Sequence, residues 1–272
     1  MIFKLFKNLA TLASLVALST FANAQDWKPS GPITLQVGFG AGGSTDTLAR
    51  VIGKSLEAQT GWDIIVENKP GGGGVAMFSV LATQKPDGHK LGIGVNLPIL
   101  MQLSLRGDKI PFKADDFDYL ATIATAPLSI IANADAPYNS FKEYIEYVKK
   151  NGKGKVGFDA GPQKFLIMAA ANKSGVKLSL ISHKSAAEIM QSILGGHVDI
   201  GFSAGTHIKY LESGKIKLLA VATNDRHSYA PDVETMVEQG FGNSVEPFFI
   251  LLLQKAMPMT LKPLWLRCWL MH

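Results

Sequence analysis

The sequence predicts an α/β protein of two lobes with a cleft between them. Three observations lead there. Strand-like and helix-like segments alternate along the chain, glycine-rich turns join them, and the alternation restarts near the middle with different details.

Ile33, Leu35 and Val37 alternate with polar or small residues, the period of a strand. After a glycine-rich turn, Leu48, Val51, Ile52 and Leu56 fall on one helical face, and Gly61 is placed to end that helix. Asp63 to Glu67 reads as a second strand. Asn68 to Gly74 is another glycine-rich connection, and Val75 to Thr83 a second helix. Lys85-Pro86-Asp87-Gly88 makes a turn before a third strand at Leu91 to Val95. This β-α-β-α-β order predicts a parallel sheet with helices on its faces. In the second half, Leu128 to Asn133, Lys155 to Phe158, His197 to Phe202 and Ile216 to Ala222 read as strands. Helices are expected at Ser140 to Lys149, Phe165 to Lys173 and Ser185 to Leu194.

The N-terminus carries an export pattern. Lys4 and Lys7 precede an uncharged apolar run from Leu9 to Leu18, and Ala22-Asn23-Ala24 supplies a cleavage site before Gln25. The run is too short to span a bilayer, so residues 1–24 are expected to be a signal peptide and the mature protein periplasmic. No cysteine stands at the cleavage site for lipid attachment. Cleavage would leave 248 of the 272 residues and bring the formal charge from +5 to +3. That charge, with no basic stripe interleaved with aromatics, argues against nucleic acid. One cysteine, Cys268, excludes an internal disulfide and a Cys-based metal site. The six histidines lack ligand spacing, so no structural metal is expected.

The segment that carries chemistry is Gly38-Phe39-Gly40-Ala41-Gly42-Gly43-Ser44-Thr45-Asp46. Its glycines allow close backbone approach, and Ser44, Thr45 and Asp46 suit a helix N-cap. A helix starting there aims free N–H groups at an anion, a carboxylate or a phosphate. A tight turn with no ligand is the alternative. Two enzyme readings compete. Gly38, Gly40 and Gly43 fit the dinucleotide-binding pattern, with Glu67 near the place of the ribose-binding acid. Against it stand the expected delay of the helix start by the Ser-Thr-Asp cap and the need for exported cofactor. The P-loop fails, since no lysine follows Gly43. Gly201-Phe202-Ser203-Ala204-Gly205 fits a serine-nucleophile elbow, but Asp225 and His227 lie too close together to be its separate partners.

Four segments resemble the substrate-binding receptors of tripartite tricarboxylate transporters, the Bug-type proteins. They are GFGAGGSTDTLAR at Gly38 to Arg50, VENKPGGGG at Val66 to Gly74 and KPDGHKL at Lys85 to Leu91. The fourth is LGGHVD at Leu194 to Asp199, with LLAVATNDR at Leu218 to Arg226 and PDVETMVEQG at Pro231 to Gly240. The resemblance implies a two-lobed, periplasmic-binding-protein-like (type II) α/β fold that closes on its ligand. Domain 1 would comprise residues 25–123 plus 246–272, and domain 2 residues 124–245. Phe248 to Pro258 looks like the strand and loop that return to domain 1.

It also implies a non-enzymatic, monomeric receptor without a cofactor that binds a small carboxylate and delivers it to membrane permease subunits. The ligand would meet Phe39, Ala41, Gly42, Gly43, Ser44, Thr45 and Asp46, with loops at Asn96, Gly161, Ser203 and Ala204 completing the cleft. The chain departs from the family where Gly38 replaces a proline, at Asp159 to Leu166 (DAGPQKFL) and at Ser182 to Ser185 (SHKS). Lys164 and Lys184 are candidates there for a direct charge. After Met259 the family pattern is lost, which reads as a truncated C-terminus with an exposed apolar face and reduced stability.

Overall fold

The computed structural model describes residues 28–255. The expected signal peptide, the segment after Met259 and Cys268 lie outside the described residues. The strands are β1 (Ile33–Val37), β2 (Ile64–Asn68), β3 (Lys90–Val95), β4 (Phe117–Thr125), β5 (Leu128–Asn133), β6 (Lys155–Phe158), β7 (Ser179–Ser182), β8 (Ile200–Ala204), β9 (Ile216–Val221) and β10 (Phe248–Gln254). The helices are α1 (Ser44–Thr60), α2 (Val75–Ala82), α3 (Asn96–Arg106), α4 (Phe141–Asn151), α5 (Gly161–Ser174), α6 (Ala186–Leu194) and α7 (Ile208–Glu212).

Among the described residues these strands form two five-stranded sheets, ordered β2-β1-β3-β10-β4 and β7-β6-β8-β5-β9. In the first, β2, β1 and β3 are parallel, as the β-α-β-α-β order predicts. The sheet as a whole is mixed, because β10 returns antiparallel between β3 and β4. In the second, β7, β6 and β8 are parallel, and β5 runs antiparallel to β8 and β9. The central strands β5 and β10 are buried on two faces, which explains their near-continuous apolar runs; β9 is buried almost throughout although it lies at a sheet edge.

Three differences from the sequence reading have physical causes. Val51 is 60 % exposed rather than core-facing. The buried stripe of α1 is Thr45, Asp46, Ala49, Gly53 and Leu56, because small residues let the helix lie close to the sheet. Strands β4 and β7 carry no expectation from the sequence; both lie at sheet edges and expose much of their length. Helix α3 begins at Asn96, directly after β3, in place of the loop that the sequence reading expects there.

Each sheet is covered on both sides. Ile33, Leu35, Leu56 and Leu91 pack one face of the first, while on the other Phe117 meets the stacked rings of Phe78 and Phe112 edge-on. In the second, Phe141 and Tyr144 of α4 anchor one face and Ile189, Met190 and Ile193 of α6 the other. Ser140 caps α4 by accepting from Glu143 N–H at 3.0 Å. A further apolar cluster spans the two sheets: Phe39, Val95 and Phe249 from the first lobe, Ala160 from the second, and Ala126 at a crossing.

Close approach of α6 to its sheet depends on Gly201 in β8. A Cβ there would overlap Ile189 Cγ2 and stand 3.2 Å from the Gly157 carbonyl. Gly201→Ala is expected to destabilise the protein by about 1–3 kcal/mol through overpacking. Urea denaturation followed by circular dichroism checks it, and an unchanged midpoint would contradict it.

Candidate functional site

The glycine-rich turn leaves β1 and enters α1 at the end of the first lobe that faces the second. The helix starts at Ser44 with Gly43 as N-cap and no side-chain cap. The Ser-Thr-Asp sequence therefore does not delay the helix start, contrary to the sequence reading. Asp46 instead folds back on the turn from the third helical position.

Asp46 is 2 % exposed. Its Oδ2 accepts from Gly42 N–H at 2.9 Å and from Arg50 Nε at 3.0 Å, and its Oδ1 accepts from Asn68 Nδ2 at 2.8 Å. Asn68 Nδ2 also donates to the Phe39 carbonyl at 3.0 Å. Burial by itself raises the pKa of this carboxyl group. The hydrogen bonds from Arg50, Gly42 and Asn68 more than offset it, and the group stays below the usual carboxylate range. Asp46 and Asn68 thus fix the turn from behind, and Asp46 does not reach the cavity described next.

Two turn glycines serve the opposite lobe. Gly40 N–H donates to the Lys184 carbonyl at 2.8 Å. A Cβ on Gly40 would stand 3.3 Å from Lys184 O, and one on Gly43 would stand 3.2 Å from Ser185 Cβ. Three of the turn's N–H groups are committed within the protein: those of Gly40 and Gly42, and that of Gly38, which donates to the Ile93 carbonyl at 3.1 Å. Those of the first helical turn precede the first helical bond, Thr47 N–H to the Gly43 carbonyl.

Between the lobes lies a cavity of about 60 Å³. Of the residues expected at the site, Phe39, Gly43, Ser44, Thr45, Ser203 and Ala204 line it, whereas Ala41, Gly42, Asp46, Asn96 and Gly161 do not. Ala41 and Gly42 are exposed. Asn96 opens α3 and uses Oδ1 to accept from Phe248 N–H at 2.8 Å, and Gly161 opens α5 under Met101, so neither is a loop contact. Their neighbours Leu97, Pro98, Ala160 and Pro162 face the cavity instead. Lys164 and Lys184 are exposed and do not line it; Lys184 contributes only backbone, its N–H donating to Glu188 Oε2 at 2.8 Å.

The walls are mainly apolar, and a few polar groups stand out. Ser44 Oγ is buried without a hydrogen-bond partner among the described residues. Gln163 accepts from Asp159 N–H through Oε1 at 2.9 Å, and Asp159 itself lines the cavity. Sequence reasoning missed Asp159, as well as Val95, Pro247 and Phe249, which reach the cavity from distant segments. Ser203 bonds Thr206 Oγ1 at 3.0 Å and no histidine. His207 meets Gly205 N–H through Nδ1 and Tyr229 Oη through Nε2, and His227 contacts the Leu128 carbonyl. Ser203 lies inside β8 rather than on a strand-to-helix elbow, so its surroundings do not make a nucleophile–base pair.

Residues 48–261 match the family model described as the tripartite tricarboxylate transporter family receptor. The chain belongs to this family. Among relatives of this receptor, a UPF0065 protein of Bordetella pertussis is 35 % identical, over 91 % of this chain and 77 % of its own length. Protein BugT of the same organism is 28 % identical, over 91 % and 78 %. The periplasmic binding protein BugD superposes with a TM-score of 0.81 at 29 % identity, over 89 % of this chain and 82 % of its own. MatC from Rhodopseudomonas palustris, solved with bound malate, shares the fold with a TM-score of 0.77 at 24 % identity, over 89 % and 83 %. The receptor fold read from the sequence is thus the fold observed. No helix among the described residues is long and apolar enough to cross a membrane.

Asp46→Asn is expected to lower stability at pH 7 by about 1–3 kcal/mol, since a neutral amide cannot replace the charge-assisted bonds that the buried carboxylate accepts from Gly42, Arg50 and Asn68. The folded pKa of Asp46 is depressed, so its contribution is present above the unfolded value of roughly 4 and is lost as pH falls through the folded one. The gap between wild type and variant should therefore shrink below about pH 4. Chemical denaturation at several pH values reads it; a gap that stays constant through the acid range would contradict this role.

Proposed function

We propose that this receptor captures a small carboxylate-bearing solute in the periplasm and delivers it to the permease subunits of a tripartite transporter. One observation carries the reading. The N-terminus of α1 borders a cavity between two lobes, and beside it lies the buried, unpartnered Ser44 Oγ. Free N–H groups and the positive end of a 17-residue helix favour an anion there, and the hydroxyl can add a charge-assisted bond. Phe39, Thr45, Ser203 and Ala204 would shape the space around it.

The cavity holds only a few waters' worth of space, so entry of a solute requires the lobes to part. We assign the moving units as the lobe of β1 to β4 with β10 and the lobe of β5 to β9, acting as a monomer; the crossing after β4 falls at Ala126, just past the 123/124 boundary read from the sequence. The N-terminal export pattern and the periplasmic family members support this location. Ligand capture needs no chemistry on the solute, and no enzymatic step is assigned to the site.

Thermal shift and calorimetry of the mature protein against malate, adipate, citrate, amino acids and aromatic acids test the proposal. At least one carboxylate should raise the melting temperature and be recovered unchanged. Ser44→Ala should then weaken its binding by about tenfold to a hundredfold while leaving the fold intact. Chemical conversion of the bound compound, or undiminished affinity of Ser44→Ala, would overturn the proposal.

A further inference from the structure

The cavity wall holds one ionisable side chain among the described residues, and it is an acid. Asp159 lies between β6 and α5, and no lysine, arginine or histidine lines the cavity with it. No ion pair joins Asp159 to any cation among the described residues. Its bonds are neutral: its N–H donates to Gln163 Oε1 at 2.9 Å, and the Gln163 side chain also hydrogen-bonds its carboxyl group. Gln163 is itself 8 % exposed and cannot rotate freely into solvent. The start of α5, two residues on, offers at most the partial charge of a helix end. A carboxylate is thus set in a small, largely apolar space without a full positive charge to balance it.

We infer that Asp159 makes the cleft selective for a zwitterion, a ligand whose carboxylate meets the N-terminus of α1 and whose positively charged amine meets Asp159. The inference rests on the carboxylate-receptor reading and narrows it. A plain dicarboxylate would bring further negative charge into the space that already holds Asp159, with no basic side chain to receive it. An amino acid brings both signs. Its carboxylate takes the helix end and Ser44 Oγ, and its ammonium gains a charge-assisted bond to Asp159. Burial lifts the Asp159 carboxyl group up to about 6, still mostly ionised at pH 7, and a cation beside it favours ionisation further. The apolar walls sharpen the discrimination, because charges interact more strongly where little water surrounds them.

The test pairs each amino acid with its analogue lacking the amine: L-alanine with propionate, L-aspartate with succinate, L-glutamate with glutarate. Affinities are measured by calorimetry on the wild-type mature protein and on Asp159→Asn, with Asp159→Ser as a second variant and circular dichroism to confirm folding. In the wild type, at least one amino acid should bind tenfold or more tightly than its analogue. Both variants should lose that advantage by weakening the amino acid tenfold or more, with the analogue unchanged or tighter. If amine-free acids bind the wild type as well or better, or if the gap survives both substitutions, the inference fails while the carboxylate receptor stands. If no carboxylate of either kind binds, the receptor reading fails and takes this inference with it.

Discussion

The site depends on one buried carboxylate. Asp46 collects the N–H of Gly42, the guanidinium of Arg50 and the amide of Asn68, and Asn68 in turn holds the Phe39 carbonyl. Without these bonds the glycine-rich turn, which has little steric preference of its own, could take many shapes. With them, three surfaces are fixed at once. They are the N-terminal face of α1, the aromatic wall supplied by Phe39, and the Gly40 to Gly43 edge that meets Lys184 and Ser185. The Arg50 side chain is half exposed, so the purely coulombic part of its ion pair is screened, and its hydrogen bond to Asp46 is what holds the carboxylate.

The division of labour within the turn differs from that of a nucleotide loop with the same glycine spacing. There, the glycines admit a pyrophosphate to the backbone. Here, Gly40 and Gly43 admit the opposite lobe. The pattern of glycines reports only that something approaches closely; whether that is a ligand or the other half of the protein is decided by what lies across the gap. The same holds for Gly201, which satisfies a nucleophile-elbow motif but serves the packing of α6 on β8.

Much of this architecture could be read from the chain. Strongly periodic or continuously apolar segments such as Ile33–Val37, Leu128–Asn133 and Phe248–Gln254 appear where the sequence predicts them, since burial on one or both faces leaves a pattern. The edge strands β4 and β7 left little pattern, because half-exposed edges tolerate mixed composition. Helix α3 hid behind Pro98 and an apolar run without a clear stripe. At the cavity, the first-lobe wall was legible because Phe39 to Thr45 is contiguous. The rest was not: Val95 of the first lobe, Asp159 of the second and Pro247 at a crossing converge from segments far apart, and no spacing rule joins them.

The two crossings between lobes run side by side. The chain leaves β4 through Ala126 and Pro127 and returns through Val245 to Pro247, and Ala126 N–H is bonded to the Pro247 carbonyl at 2.8 Å. Ala126, Val245 and Pro247 also line the cavity. The axis about which the lobes can swing therefore passes through the floor of the cavity. Residues near that axis travel little in any rotation, and the Gly40–Lys184 contact lies outside the cavity lining. A single backbone hydrogen bond, Gly40 N–H to the Lys184 carbonyl, is therefore what any rotation of one lobe away from the other has to break first on the glycine-rich side.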